Sequence, residues 1–158
     1  MTIGSSVALA QYLGLPVTTA LTETGPDGTL RPLPNARFYV PGSVLETSVD
    51  NNLPVAYGLP GKVDVFFASS PAFRLLPEAA AKRTRPVAWY SSAEPLRSGW
   101  AWGQHYLNGA VAIAEAEVGE GKVYLFGPEI TFRGQSHGTF KFLFNAIQLA
   151  GAKKVNLP

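Results

Sequence analysis

His105 and His137 are the only two imidazoles in the chain, and there is no cysteine. The lack of cysteine removes disulfides, thiolate metal sites and a thiol nucleophile together. The histidines stand 32 positions apart, and neither falls in an HxxE or HExxH pattern, the spacing that would place two ligands on one helix face. The expectation is therefore no metal or other cofactor, with His105 on an exposed loop and His137 bonded to a nearby loop carbonyl. Ser5 and Ser6 are the remaining nucleophile candidates, at a strand-to-helix turn like a nucleophile elbow. However, Gly4-Ser5-Ser6-Val7-Ala8 is not GxSxG, and hydroxyls at such a turn suit helix capping. Gly119-Glu120-Gly121-Lys122 has the residue types of a phosphate loop without its spacing, and a hairpin turn explains it.

Two further groups stand out. Glu129, Arg133, Gln135 and His137 form a polar corner ahead of a helix N-terminus, where backbone N–H groups and the helix dipole favour anions. Three readings stand: an anion or carboxylate site, a contact surface for another domain, or a network pinning the crossing, with Arg133 bonded to Glu129 or to loop carbonyls. Trp100 and Trp102, set between Gly99 and Gly103, suit either a packed loop or a surface that stacks on a sugar or peptide side chain.

Several elements must position these residues. Thr2-Ile3-Gly4 reads as the end of a strand, followed by a short helix with Val7, Ala8, Leu9, Ala10 and Leu13 as its apolar positions, ending at Gly14. Residues 24–42 are rich in glycine and proline and read as a surface excursion containing a short extended piece, Phe38-Tyr39-Val40. From Ser43 to Asp50 the chain alternates, with Leu45, Thr47 and Val49 on one face, as in a half-buried strand. Val63–Ala68 and Val87–Tyr90 are further strands, the latter entered through Pro86, with one helical turn expected over Pro77–Ala81. Ala110–Val118 and Lys122–Phe126 flank Gly119-Glu120-Gly121 as an antiparallel hairpin. Ser136 to Ala150 is the longest helical pattern. Phe140, Leu143, Phe144 and Ile147 form its apolar stripe, Ser136 its N-cap and Gly151 the residue after its end.

The totals bound the class. With 158 residues, 46% hydrophobic, 15% charged and a net charge of +2, the chain can bury a single-domain core. Lys82-Arg83-Thr84-Arg85 and Lys153-Lys154 are small basic clusters, not a stripe interleaved with aromatics, so no nucleic-acid partner is expected. No apolar run reaches the roughly 18 residues of a membrane span, and the N-terminus lacks a signal-peptide pattern.

These residues resemble two related groups of proteins. In class I glutamine amidotransferases a late strand runs into His-Pro-Glu, whose histidine and glutamate complete a triad with a cysteine at an earlier elbow. Val123-Tyr124-Leu125-Phe126-Gly127-Pro128-Glu129 resembles that strand with Gly127 in the histidine's place, and Thr2-Ile3-Gly4-Ser5-Ser6 resembles the elbow with glycine or serine in the cysteine's. Val63–Phe67 with Ser70-Pro71-Ala72-Phe73, Ser98-Gly99-Trp100, and Val123–Gly127 with Phe132–Ala146 are similar to the domain that follows the catalytic domain in bacterial M14 zinc carboxypeptidases. The similarity spans residues 1 to about 150 and is most specific over 98–146.

The resemblance implies an α/β, flavodoxin-like three-layer sandwich with its first β-α units missing, ending in a hairpin and a packed helix. It also implies a non-catalytic accessory or docking domain beside an M14-type carboxypeptidase, extracytoplasmic if that parent is secreted. None of that family's zinc ligands has a counterpart here. Without its first units, such a domain would be marginal or would self-associate through an exposed sheet edge. The reading from another class is a small-ligand or glycan-binding module that uses Trp100, Trp102 and the Arg133/His137 corner.

Overall fold

The computed structural model describes residues 1–152. The Lys153-Lys154 pair lies outside them, as do the side chains of Ser6 and Val7. The chain is mixed α/β with a large mixed sheet and few helices. In order, the strands are β1 (Thr2–Ile3), β2 (Val17–Thr19), β3 (Thr22–Thr24), β4 (Leu30–Pro32), β5 (Ser43–Val49), β6 (Lys62–Phe67), β7 (Phe73–Leu75), β8 (Thr84–Trp89), β9 (Leu96–Ser98), β10 (Val111–Val118) and β11 (Gly121–Phe126). The α-helices are α1 (Leu9–Tyr12) and α2 (Phe140–Leu149).

The main path of the sheet is β1-β11-β10-β8-β5-β6, with β9 beside β5 and β7 joining β10 to β2. Only β1 and β11 pair in parallel among the described strands; the other ladders are antiparallel. These elements do not confirm flavodoxin-like layering, which calls for parallel strands and a helix after most of them.

The two ends of the sheet are buried differently. On β11, Tyr124 and Phe126 join a large apolar cluster with Phe142 and Ala146 of α2. Leu125 points the other way, into a second cluster with Ala10 of α1, Val17, Phe73 and Ala114. This end is therefore packed on both faces. On β5 and β6 the alternation is strict: Leu45, Thr47, Val49, Val63, Val65 and Phe67 are buried. The opposite face carries an ionic lattice in which Glu46 meets Lys62 at 2.7 Å and Arg97 at 3.9 Å, and Arg97 also meets Asp64 at 3.6 Å.

Most of the expected elements form, including the 111–126 hairpin with Glu117 opposite Lys122 and Val118 opposite Gly121. Four details differ. The strand expected over Val87–Tyr90, β8, starts at Thr84 and runs through Pro86, where a register shift on β10 between Ile113 and Ala114 accommodates the missing N–H. Residues 77–83 form turns rather than a helix. The first helix follows a 3-10 turn over Gly4–Ala8 and its N-cap is Ala8 rather than a serine; the capping expected of Ser6 lies outside the described residues.

The fourth difference is the orientation of α2. Phe142 and Ala146 are its buried positions, whereas Phe144 and Ile147 are 56% and 52% exposed. Polar anchors set this rotation: Asn145 Nδ2 donates to the carbonyls of Val55 and Tyr57, both at 3.0 Å, and Lys141 Nζ to that of Gly58 at 3.1 Å. The helix N-cap is Thr139, not Ser136. Thr139 Oγ1 donates to the Ile130 and Ser136 carbonyls, stitching the helix start to the end of the preceding crossing.

Candidate functional site

The parallel pairing of Thr2 with Leu125 and Ile3 with Phe126 brings the chain's start and the end of β11 side by side. Gly4 follows at once, with φ +57. That left-handed conformation is the sharp strand-to-helix turn of an elbow, and glycine adopts it without steric cost. A Cβ on Gly4 would collide with Oε1 of Glu129. The Glu129 carboxylate thus occupies the space into which a side chain at the elbow would project. Ser5, the next residue, is exposed.

Gly127 is closed more firmly. A Cβ there would collide with the Pro71 carbonyl oxygen and would stand 2.9 Å from that of Ala112. Its amide donates to the same Ala112 carbonyl at 3.0 Å. Backbone fills the place of any imidazole at this position, so the glycine is part of the packing. Glu129 in turn ties the sheet's path together: its amide donates to the Phe66 carbonyl of the edge strand β6 at 3.1 Å, while its carboxylate lies against Gly4 beside β1.

In the polar corner Arg133 is bonded neither to Glu129 nor to a loop carbonyl among the described residues. Arg133 has φ 49, a region that side chains other than glycine rarely adopt, and its guanidinium lies over the Phe132 ring, 5.1 Å from the centroid. Phe132 stacks in turn on Phe66 with centroids 3.9 Å apart. A cation–π contact has replaced the expected bond to Glu129 or to loop carbonyls. His137 behaves as expected, with Nε2 3.1 Å from the Gly134 carbonyl oxygen and its ring 5.1 Å from Phe140. Gln135 and His137 line a shallow groove of about 620 Å³ with Val44, Lys62, Asp64 and Phe66. Neither tryptophan borders this groove, so the corner and the tryptophans are separate features.

Trp100 and Trp102 are 55% and 54% exposed, so neither is a buried core residue. Their backbone holds them out. Tyr39 and Trp102 form an isolated antiparallel bridge with reciprocal N–H···O bonds of 3.0 Å. The buried Ser43 hydroxyl accepts from the Trp100 amide at 3.0 Å and donates to its carbonyl at 2.6 Å. Trp102 Nε1 donates to the Ala36 carbonyl at 2.8 Å. Tyr39, itself 40% exposed, meets Trp100 edge to face at 5.9 Å. Tyr39 sits in the extended piece Phe38-Tyr39-Val40, and its exposure between buried Phe38 and Val40 shows only in the structure.

A second missed group is buried. Glu115 on β10 is 3% exposed and takes Arg85 Nε at 2.6 Å and Lys122 Nζ at 3.3 Å, while its Oε2 has no hydrogen-bond partner. Burial, and then the Glu115 charge, push the Tyr124 hydroxyl above its ordinary pKa. Arg85 and Lys122 share the carboxylate from the neighbouring strands, which makes this a cross-strand charge pin rather than a cleft. His105 is exposed, with its ring 4.4 Å from Tyr106. Among the described residues no three His, Cys, Asp or Glu side chains converge on a metal position, and no helix is long and apolar enough to cross a membrane. No protein-family model matches the chain, and no curated protein sequence matches it.

Proposed function

We propose that this chain is a non-catalytic accessory domain of amidotransferase-like descent, built to dock beside an M14-type zinc carboxypeptidase domain. The observation that carries the reading is the closed elbow: Gly4 at φ +57 with the Glu129 carboxylate where its side chain would go. On this reading, a glutamate beside an elbow glycine is what a triad would leave once glycine stood at both its nucleophile and its base positions. The sealed position of Gly127 supports the same reading, since a histidine base cannot be accommodated there and a nearby serine would have no activating partner.

On this reading, the doubly covered end of the sheet, with α1 on one face and α2 on the other, corresponds to one end of a flavodoxin-like three-layer sandwich. The outward Phe144 and Ile147 of α2 offer apolar surface to a protein neighbour. A secreted carboxypeptidase parent would place the domain outside the cytoplasm.

The test has two parts. The purified chain should show no glutaminase or esterase turnover; measurable turnover that disappears in Ser5→Ala would refute the non-catalytic assignment. The coding DNA upstream of Met1 should contain an in-frame HxxE-bearing zinc carboxypeptidase sequence, or one encoded alongside whose product co-purifies with this chain. Lack of both sinks the docking assignment.

A further inference from the structure

We infer that Tyr39, Trp100 and Trp102 form a preformed binding platform for a neutral carbohydrate chain, distinct from any docking role of the domain. Register and ring contact bring the three together. Residues directly opposite in an antiparallel bridge project to the same side. Tyr39 stands opposite Trp102, and its ring meets that of Trp100 at 5.9 Å and 65°.

The platform is rigid without its ligand. Two reciprocal backbone bonds, the Ser43 clamp on Trp100 and the Trp102 Nε1 bond to Ala36 fix both segments. Gly99 at φ 97 and Gly103 at φ 71 bring the backbones together where a Cβ would strike Ser43 or the Arg37 carbonyl. Holding large apolar rings half in water by rigid backbone is unfavourable unless something covers them, and a preformed site loses little entropy when it binds.

Size and charge select the occupant. The exposed fractions amount to about 300 Å² of ring surface, taking about 200 Å² for a whole aromatic side chain. A stable protein partner needs about 800 Å² on each side, and among the exposed flanking residues only Ala36 and Pro41 are apolar and both are small, beside Arg37, Gly99, Gly103 and Gln104. The patch suits one or two sugar rings, whose C–H faces lie on aromatic faces while their hydroxyls reach polar neighbours. A cationic ligand would want a free carboxylate beside the rings, but Glu23 is paired with Arg37 at 2.7 Å and Glu46 with Lys62 at 2.7 Å. A polyanion would want a basic stripe, which the sequence lacks.

The test titrates cellohexaose, chitohexaose and xylohexaose at millimolar concentration into the full chain, followed by calorimetry and tryptophan fluorescence. At least one should bind saturably, with affinity reduced about tenfold or more in Trp100→Ala and in Tyr39→Ala and unchanged in His137→Ala. Trp102→Ala is avoided because its indole also anchors the loop. Denaturation midpoints check that each variant is folded. The proposal is overturned by no saturable response to any of the three sugars, by equal binding in folded Trp100→Ala, or by binding of tetramethylammonium in their place.

Discussion

The closed elbow and the aromatic bridge use the same device for opposite ends. In both, glycine lets two backbones approach to a distance that forbids a Cβ: Pro71 and Ala112 against Gly127, Arg37 against Gly103. At the elbow the approach turns inward. Backbone and the Glu129 carboxylate fill the space, and the core continues through Phe126, Ile130 and Phe142, all fully buried. At the bridge the approach turns outward, and three aromatic rings are left facing solvent. Side-chain chemistry is thus closed off where the family resemblance expects it and displayed where that resemblance assigns nothing.

The largest test of this contrast is Gly127→His. A histidine there forces a side chain into two carbonyl oxygens, and the fold should lose roughly 3 kcal/mol or more, read from urea denaturation. A variant of unchanged stability would break the contrast, because the position would then be merely vacant. Next comes Gly103→Ala, which strains a left-handed residue and strikes the Arg37 carbonyl. It should cost about 2 kcal/mol. Gly134→Ala, with a similar φ of 67 but open space around it, should cost only about 1 kcal/mol. Equal losses in the two variants would mean that close approach contributes nothing at the bridge.

A smaller effect lies in the core behind the bridge, where Phe38, Phe67 and Tyr90 form an edge-to-face chain at 6.0 and 6.2 Å. The Tyr90 hydroxyl is fully buried without a partner, so Tyr90→Phe should stabilise the chain by about 1 kcal/mol. Burial raises the Tyr90 pKa well above its ordinary value. The folded state therefore keeps its proton at pH values where the unfolded chain has released it. The contribution is fully present below the unfolded value of about 10 and is lost as pH climbs toward the folded one. Alkaline titration of stability should show that decline, less steep in Tyr90→Phe, with a residual slope from Tyr124, whose pKa is also raised. An identical slope in the variant would discard this account.

The smallest expected effect is on the display itself. Trp100→Ala removes a ring that is 55% exposed and should change stability by no more than about 0.5 kcal/mol. Tryptophan emission should be red-shifted and readily quenched in the parent chain and less so in the variant. A loss above about 2 kcal/mol would show that the ring packs as core and would end the contrast from the other side.

Local pattern carried much of the fold. The alternation of Leu45, Thr47 and Val49 determined which face of β5 is buried. The Gly119-Glu120-Gly121 turn determined the hairpin, and the pairing of His137 with a loop carbonyl followed from its place beside a helix start. These features depend on neighbours within a few residues, where side-chain period and turn chemistry leave few options.

What tertiary structure alone decided depends on contacts between distant segments. The α2 pattern offered Phe140, Leu143, Phe144 and Ile147 as its stripe, whereas Phe142 and Ala146 are the positions that are buried. The carbonyls of Val55, Tyr57 and Gly58 set that rotation by binding Asn145 and Lys141. Whether Trp100 and Trp102 face in or out was set by Tyr39, some sixty residues earlier, and by Ser43. The resemblance named Gly127 as the place of a missing base, but only the packed structure shows the Pro71 and Ala112 carbonyls filling it. Composition and period report what a segment prefers; which surface it buries is settled by the partner it meets.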